Sequence, residues 1–166
     1  EIYHGIVGKS REIKKMIQTI NQVKDSPLPA LICGESGVGK ELAARALHFG
    51  SVRSKHQFVA INCASLKPDL LENEFFGHVK GAFTGATDLK DGIVKLADKG
   101  TLFIDEVTDM NPHIQASLLR FIEIGTFRPI GSPKECKVDV RIIAAVNRNI
   151  EKEVEEKKFR NDLYYR

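Results

Sequence analysis

The stretch "ALICGESGVGKELAARALHF", residues 30–49, constrains the fold more than any other part of this chain. Its opening apolar run reads as a short buried strand, the glycine-rich segment as a turn, and the remainder as a helix near residues 41–49. Gly34, Gly37, Gly39 and Lys40 fall in the pattern G-x-x-x-x-G-K. Glycines let the backbone curl until its N–H groups converge, the helix N-terminus adds its dipole, and the lysine adds a mobile positive charge. Taken alone this is a glycine-rich turn into a helix. With a strand before it and a helix after it, it is a phosphate cradle for a nucleotide. The position that usually carries a magnesium-ligating Ser or Thr hydroxyl is Glu41 here. A carboxylate there must be screened by the metal or turned away from the phosphates.

The same strand-then-helix alternation runs along the chain. Ser10 is placed to cap a helix over 11–23, whose Ile13, Met16, Ile17, Ile20 and Val23 recur at helical spacing. "FVAIN" (58–62) reads as a second strand and "PDLLENEFF" (68–76) as a helix with proline in its first turn. "GIVKLA" (92–97) reads as a short helix and "TLFID" (101–105) as a third strand. Asn111 and Pro112 open a helix that Gly125 closes. Residues 126–139 form a turn-rich irregular hairpin or projecting loop, "VRIIAAV" (140–146) a fourth strand, and 150–158 a last charged helix. Apolar rather than alternating strands, separated by helices, predict a three-layer α/β fold with a mostly parallel central sheet.

In open parallel sheets, ligands bind beyond the carboxyl ends of the strands. Each of these strands ends in a polar group: the glycine-rich loop, Asn62, Asp105-Glu106 and Asn147. In isolation the two acids are a solvated strand end. Beside a phosphate cradle, Asp105 can hold magnesium directly or through water, and Glu106 can polarise the water that attacks a γ-phosphate. Asn62 and Asn147 are either turn residues or groups that orient that water and sense the phosphate. Arg160 and Arg166 in "FRNDLYYR" are either surface arginines or charges supplied to a neighbouring subunit's site.

Composition excludes several other classes. The 166 residues suffice for one domain with a sizeable core, and a net charge of +3 is too mild to argue for nucleic-acid binding. No apolar run approaches the roughly 20 residues of a membrane helix. Cys33, Cys63 and Cys136 have no metal-ligand spacing, and their odd number without a leader sequence points to a reducing cytosol. Cys33, ending an apolar run, is expected to be a buried thiol. The five histidines form no cluster and read as incidental.

The segments "GESGVGKE", "FVAINCASL", "FFGHVKGAFTGA", "GTLFIDEV", "RIIAAVNRNI" and "FRNDLYYR" resemble, in order and spacing, the central AAA+ ATPase domain of sigma-54-dependent transcriptional activators, the NtrC-like bacterial enhancer-binding proteins. The resemblance covers essentially all of residues 1–166. It implies a P-loop NTPase that binds ATP and Mg2+, assembles into a ring, usually a hexamer, and remodels the closed complex of sigma-54 RNA polymerase. By that likeness Gly34, Glu35, Ser36, Gly37, Val38, Gly39, Lys40 and Glu41 hold the nucleotide, while "GIVG" with Ile6 and Val7 lies beside the adenine. Asn62 holds the catalytic Glu106 between turnovers, Asn147 senses the γ-phosphate, and Arg160 and Arg166 reach the adjacent subunit. Glu41 after the lysine is similar to the family's own pattern. Gly81, Ala82, Phe83, Thr84, Gly85 and Ala86 correspond to the loop that contacts sigma-54. The small helical lid, the regulatory domain and the DNA-binding domain of such proteins are expected outside this segment.

Two other readings stay open at this stage. A different AAA+ remodeller keeps the ATPase residues and uses the loop otherwise, and a nucleotide-gated binding module needs no turnover. Phe83, alone among small residues, poses the same question locally. Aromatic burial favours a core anchor. The flanking glycines and the resemblance favour an exposed probe.

Overall fold

The computed structural model describes residues 2–147 and 149–166. The chain begins with a small antiparallel pair, β1 (Ile2–Tyr3) and β2 (Ile6–Val7), followed by α1 (Arg11–Val23), β3 (Ala30–Cys33), α2 (Lys40–Phe49) and β4 (Phe58–Asn62). Then come α3 (Pro68–Phe76), the two-residue strands β5 (Gly77–His78) and β6 (Lys90–Asp91), α4 (Ile93–Leu96) and β7 (Thr101–Asp105). The remainder is α5 (Pro112–Ile124), the pair β8 (Thr126–Phe127) and β9 (Cys136–Lys137), β10 (Arg141–Val146), α6 (Ile150–Glu155) and α7 (Asn161–Tyr164). The caps lie where their residue types predict. Ser10 Oγ accepts from Ile13 N, Asn111 Oδ1 accepts from Ile114 N, and Gly125 ends α5 in the left-handed region.

The central sheet runs β3-β10-β7-β4 and is parallel throughout. Neighbouring residues of its middle strands enter different cores. Leu102, Ile104, Ile142 and Val146 pack with Leu71, Phe75, Ile114 and Leu118 on one face. Phe103, Ile143 and Ala145 pack with Ile20, Ala43, Ala44 and Leu47 on the other. Two buried faces explain the unbroken apolar character of "TLFID" and "RIIAAV". The edge strand β3 is different: its exposure alternates, and Cys33 is exposed, not buried as its apolar run suggested. An edge position leaves it without a neighbour on one side.

Two buried polar side chains hold the layers together. Arg141, on β10, donates through Nη2 to Val23 O (2.9 Å) and through Nη1 to Lys24 O, so a sheet residue closes the C-terminus of α1, which has no basic residue in its own last turn. His48 is fully buried, correcting its reading as incidental. Its Nε2 donates to His56 O (3.1 Å), and its Nδ1 accepts from the Thr101 hydroxyl (2.8 Å), tying α2 to the start of β7. The last charged helix also departs from expectation. It ends at Glu155, and Lys157 turns left-handed at φ 59°, which brings Phe159 back into the core.

Burial holds the His48 pKa below its ordinary value of 6.5, and the nearby charges of Arg53, His56 and Arg141 act in the same direction. The unfolded chain regains the ordinary value, so protonation favours unfolding. The stabilising contribution is whole above about pH 6.5 and drains as pH falls toward the lower folded value. The melting temperature is therefore expected to fall below about pH 6.5, and His48→Gln, with no group titrating there, to flatten that part of the profile. An unchanged slope in thermal melts of the variant would show that other groups carry it.

Candidate functional site

The parallel order places the ends of β3, β10, β7 and β4 side by side, and the candidate residues lie along that edge. The glycine-rich loop is anchored to the neighbouring strand by Gly34 N donating to Val146 O (3.1 Å). Gly37 (φ 80°) and Gly39 (φ 91°) occupy the left-handed region that the turn requires. Gly39, the N-cap of α2, has no side chain to cap its first N–H groups. Lys40 is 8% exposed, and its Nζ donates to the carbonyls of Gly34 and Glu35, both at 2.8 Å. The ammonium is thus held inside the loop that an anion would occupy.

Glu41 is turned away from that loop by its neighbour one turn on. Arg45 donates to Glu41 Oε1 through Nε (3.0 Å) and Nη2 (2.8 Å), and its guanidinium lies 4.8 Å from the centroid of the Phe58 ring. Both partners are exposed, so the pair itself stabilises little. Its consequence is positional. Sequence reasoning missed Arg45, although an acid four residues before an arginine on one helix was a readable signal.

The acids end β7. Asn62 and Asp105 are direct register partners across the β4–β7 ladder. A cleft of about 260 Å³ brings Glu41, Asn62 and Asp105 together over Phe103. Asp105 Oδ1 accepts from Glu106 N (3.0 Å), and Asn62 Oδ1 accepts from Ala64 N (2.9 Å), so backbone bonds fix one oxygen of each side chain. Glu106 adopts φ 53°, a left-handed conformation uncommon for a non-glycine residue, which bends the chain sharply off the strand. Cys63 is buried behind these acids. Burial, then the charges of Asp109, Asp105 and Glu106, push its thiol up to about 12, so it stays neutral.

Asn147 is exposed at the end of β10. Ile6 and Val7 diverge: Ile6 packs into the core with α2, while Val7 is 70% exposed. Arg160 and Arg166 do not line the cleft. Arg160 makes a two-pronged pair with Asp162 (Nε–Oδ1 2.9 Å, Nη2–Oδ2 2.8 Å), and Arg166 pairs with Glu123 near the end of α5 (3.1 Å).

The loop 77–91 is a hairpin, β5 against β6, which the sequence pattern did not show. Its tip closes by Gly81 N to Ala86 O (2.9 Å) and Ala86 N to Phe83 O (3.1 Å), with Ala86 buried and Thr84 exposed. Gly81 (φ 80°) and Gly85 (φ 96°) have open space where a side chain would stand. Phe83 is 46% exposed, so it is no core anchor. Its ring meets His78 edge-on, with centroids 4.9 Å apart, and His78 Nδ1 donates to Asn73 Oδ1 (2.7 Å). The base of the hairpin is bound to the β8–β9 loop through Val79 N to Ile130 O (3.1 Å) and Ile130 N to Gly77 O (2.9 Å).

The glycine-rich loop after β3, the paired acids that end β7 beyond β10 on the same edge, and this hairpin all lie within residues 6–166, which match the sigma-54 interaction domain. The chain belongs to the sigma-54 interaction domain family. It is 50% identical over 164 residues to the luminescence regulatory protein LuxO of Vibrio campbellii, covering 99% of this chain and 36% of LuxO. NtrX from Brucella abortus, solved in complex with ATP, superposes with a TM-score of 0.90 at 38% identity, covering 97% of this chain and 34% of that one. The P-loop NTPase domain of a sigma-54 activator from E. coli shares the fold at a TM-score of 0.64 and 19% identity, over 96% of this chain and 91% of that domain. The chain therefore spans about a third of the length of the curated relatives it matches. Among the described residues no helix is long and apolar enough to cross a membrane.

His78, bonded to Asn73 and unnoticed in the sequence, carries the ring contact of the half-exposed Phe83. His78→Ala removes the ring under Phe83 and is expected to raise amide exchange across residues 81–86 above that of the parent. Hydrogen-exchange mass spectrometry reads this directly, and unchanged protection would show that the ring contact does not hold the loop.

Proposed function

We propose that this chain is the ATP-hydrolysing module of a sigma-54-dependent transcription activator, acting in the cytoplasm as a ring of subunits, usually a hexamer. The observation that carries the reading is the shared edge, where the Lys40 loop, Asn62 and Asp105 converge. In the whole protein, residues 1–166 form the α/β part, a small helical lid follows, and DNA is contacted through a separate domain.

In this reading ATP phosphates enter the loop of residues 34–41, and Lys40 exchanges the carbonyls of Gly34 and Glu35 for phosphate oxygens. The uncapped start of α2 adds its N–H groups and dipole. Asp105 would hold Mg2+, with Glu41 across the same cleft. Carboxylate oxygens beside a phosphate site are the kind of donor that Mg2+ takes. Bound there, the ion would supply positive charge against the phosphates. Glu106 accepts a proton from the attacking water, Asn62 positions that acid, and Asn147 responds to the γ-phosphate. Arg160 and Arg166 stabilise transferring charge in the adjacent subunit's site. Ile6 and Val7 flank the adenine, with Val7 already offering an exposed apolar face. Residues 81–86 present Phe83 and Thr84 to sigma-54.

Lys40→Ala is expected to weaken ATP binding by at least about tenfold, or 1.4 kcal/mol. Glu106→Gln keeps the shape without the base and should bind ATP yet fail to hydrolyse it. Calorimetry and phosphate release on the same preparations separate the two, and parental turnover in Glu106→Gln would remove that residue from the mechanism.

Phe83→Ala and Thr84→Ala are expected to leave ring assembly, melting temperature and ATPase close to the parent while losing sigma-54 capture and open-complex formation. The capture assay uses sigma-54 with a transition-state analogue of ATP. Retained capture by both variants would break the assignment of Phe83 and Thr84 as the sigma-54 contact, and a lower melting temperature with parallel loss of ATPase would return Phe83 to a structural role.

A further inference from the structure

Gln115 lies in the first half of α5 and is fully buried. A buried primary amide is costly unless its donors and acceptor are matched, and here all three directions are used. Nε2 donates to Met110 O (2.8 Å) and to Lys158 O (3.0 Å), while Oε1 accepts from Arg160 N (2.8 Å). The partners also fix the orientation of the amide, because two carbonyls cannot donate and a backbone N–H cannot accept.

These three bonds join two segments that are far apart in sequence. Met110 ends the short 3-10 turn Val107–Asp109, which follows directly from Asp105 and Glu106. Lys158 and Arg160 flank Phe159, which is buried where the chain re-enters the core after the left-handed Lys157. Arg160 is the residue just before α7, and its guanidinium is already oriented by the two-pronged pair with Asp162. Its side chain is held by an exposed acid and its backbone by a buried amide. Only the second of these is shielded from water and salt.

We propose that Gln115 is a positioning residue that sets Arg160 for its action on the neighbouring subunit, by fixing the Arg160 backbone against the segment that leaves Glu106. The proposal rests on the reading of Arg160 as a residue acting between subunits. Gln115 touches neither nucleotide nor reacting atoms. Without it, the Arg160 N–H and two carbonyls lose their partner, and the 158–160 segment is free to shift relative to the acids. Displacements of about 1 Å in a positioning group are enough to cost about a hundredfold in rate.

The test uses Gln115→Met in the full-length protein, which keeps length and helix propensity while removing all three bonds. It is expected to bind ATP with parental affinity and to lose at least about tenfold in ATPase, a part of the roughly thousandfold or more that an interfacial arginine contributes. Subunit mixing separates positioning of Arg160 from simple loss of structure. A site consists of one subunit's Lys40 loop and acids with the next subunit's Arg160. Mixed with Lys40→Ala, Gln115→Met should regain activity, because its intact loop then faces an intact arginine. Mixed with Arg160→Ala it should not, because every interface then has a displaced or missing arginine. Recovery with Arg160→Ala instead, or recovery with neither in rings shown to co-assemble, overturns the proposal. Parental ATPase in Gln115→Met overturns it as well. If Arg160→Ala alone keeps parental ATPase, the underlying reading of Arg160 fails and the proposal falls with it.

Discussion

Parallel pairing of β3, β10, β7 and β4 is the constraint on which the rest depends. Parallel neighbours cannot be joined by tight hairpins, so every connection must cross a face of the sheet and return. The crossings cover both faces, and that covering is why Leu102 and Phe103, adjacent in sequence, lie in separate cores. The same topology leaves all four carboxyl ends on one edge. The Asn62–Asp105 register pair and the Gly34–Val146 hydrogen bond are consequences of it. The chemistry requires little beyond extending each strand by one or two polar residues.

Charge at this edge is held by local pairing. Lys40 is nearly buried yet satisfied by two carbonyls, which are neutral acceptors that a phosphate can replace without leaving an orphaned ion. Glu41 adds a negative charge one residue from that lysine, and Arg45, resting on Phe58, takes it to the side. Behind the acids stands Cys63, whose neutral thiol adds no further negative charge. An anion therefore approaches a loop whose lysine is available and whose neighbouring carboxylate already has a partner.

Much of this was legible in the sequence. The boundaries of α1, α3 and β7 were readable because Ser10, Pro68 and the run "TLFID" each carry a local signal that tertiary context reinforces. The short hairpin β5–β6 was not, since two-residue strands have no periodicity and its pairing joins residues on either side of a long loop. Cys33 was misjudged because apolar composition does not reveal which strand will sit at an edge. His48 and Gln115 escaped for a related reason. Each is polar on a helix whose apolar face is otherwise complete, and only the fold supplies the distant Thr101, His56 and Arg160 atoms that make their burial acceptable. The strand-end residues of the site were visible because a parallel sheet maps chain position onto place. Long-range partners have no such map.

The state of Phe83 follows from magnitudes. A Phe buried in the core, such as Phe75 at 0% exposure, costs about 3–5 kcal/mol to remove and does not leave its site under ordinary conditions. Phe83 is half exposed, and its edge-on contact with the His78 ring adds about 0.5–1.5 kcal/mol to its partial burial. That ring contact by itself corresponds to a factor of about twofold to about twelvefold. Gly81 and Gly85 already occupy left-handed backbone with open space around them, so reorienting the tip forces no side chain through a clash. An apolar surface that buries the rest of the ring can therefore compete with His78, whereas no surface of similar size could extract Phe75. The base of the hairpin is held differently, by backbone hydrogen bonds to Ile130. A tip that moves cheaply on a base that does not gives the loop a defined direction as well as freedom.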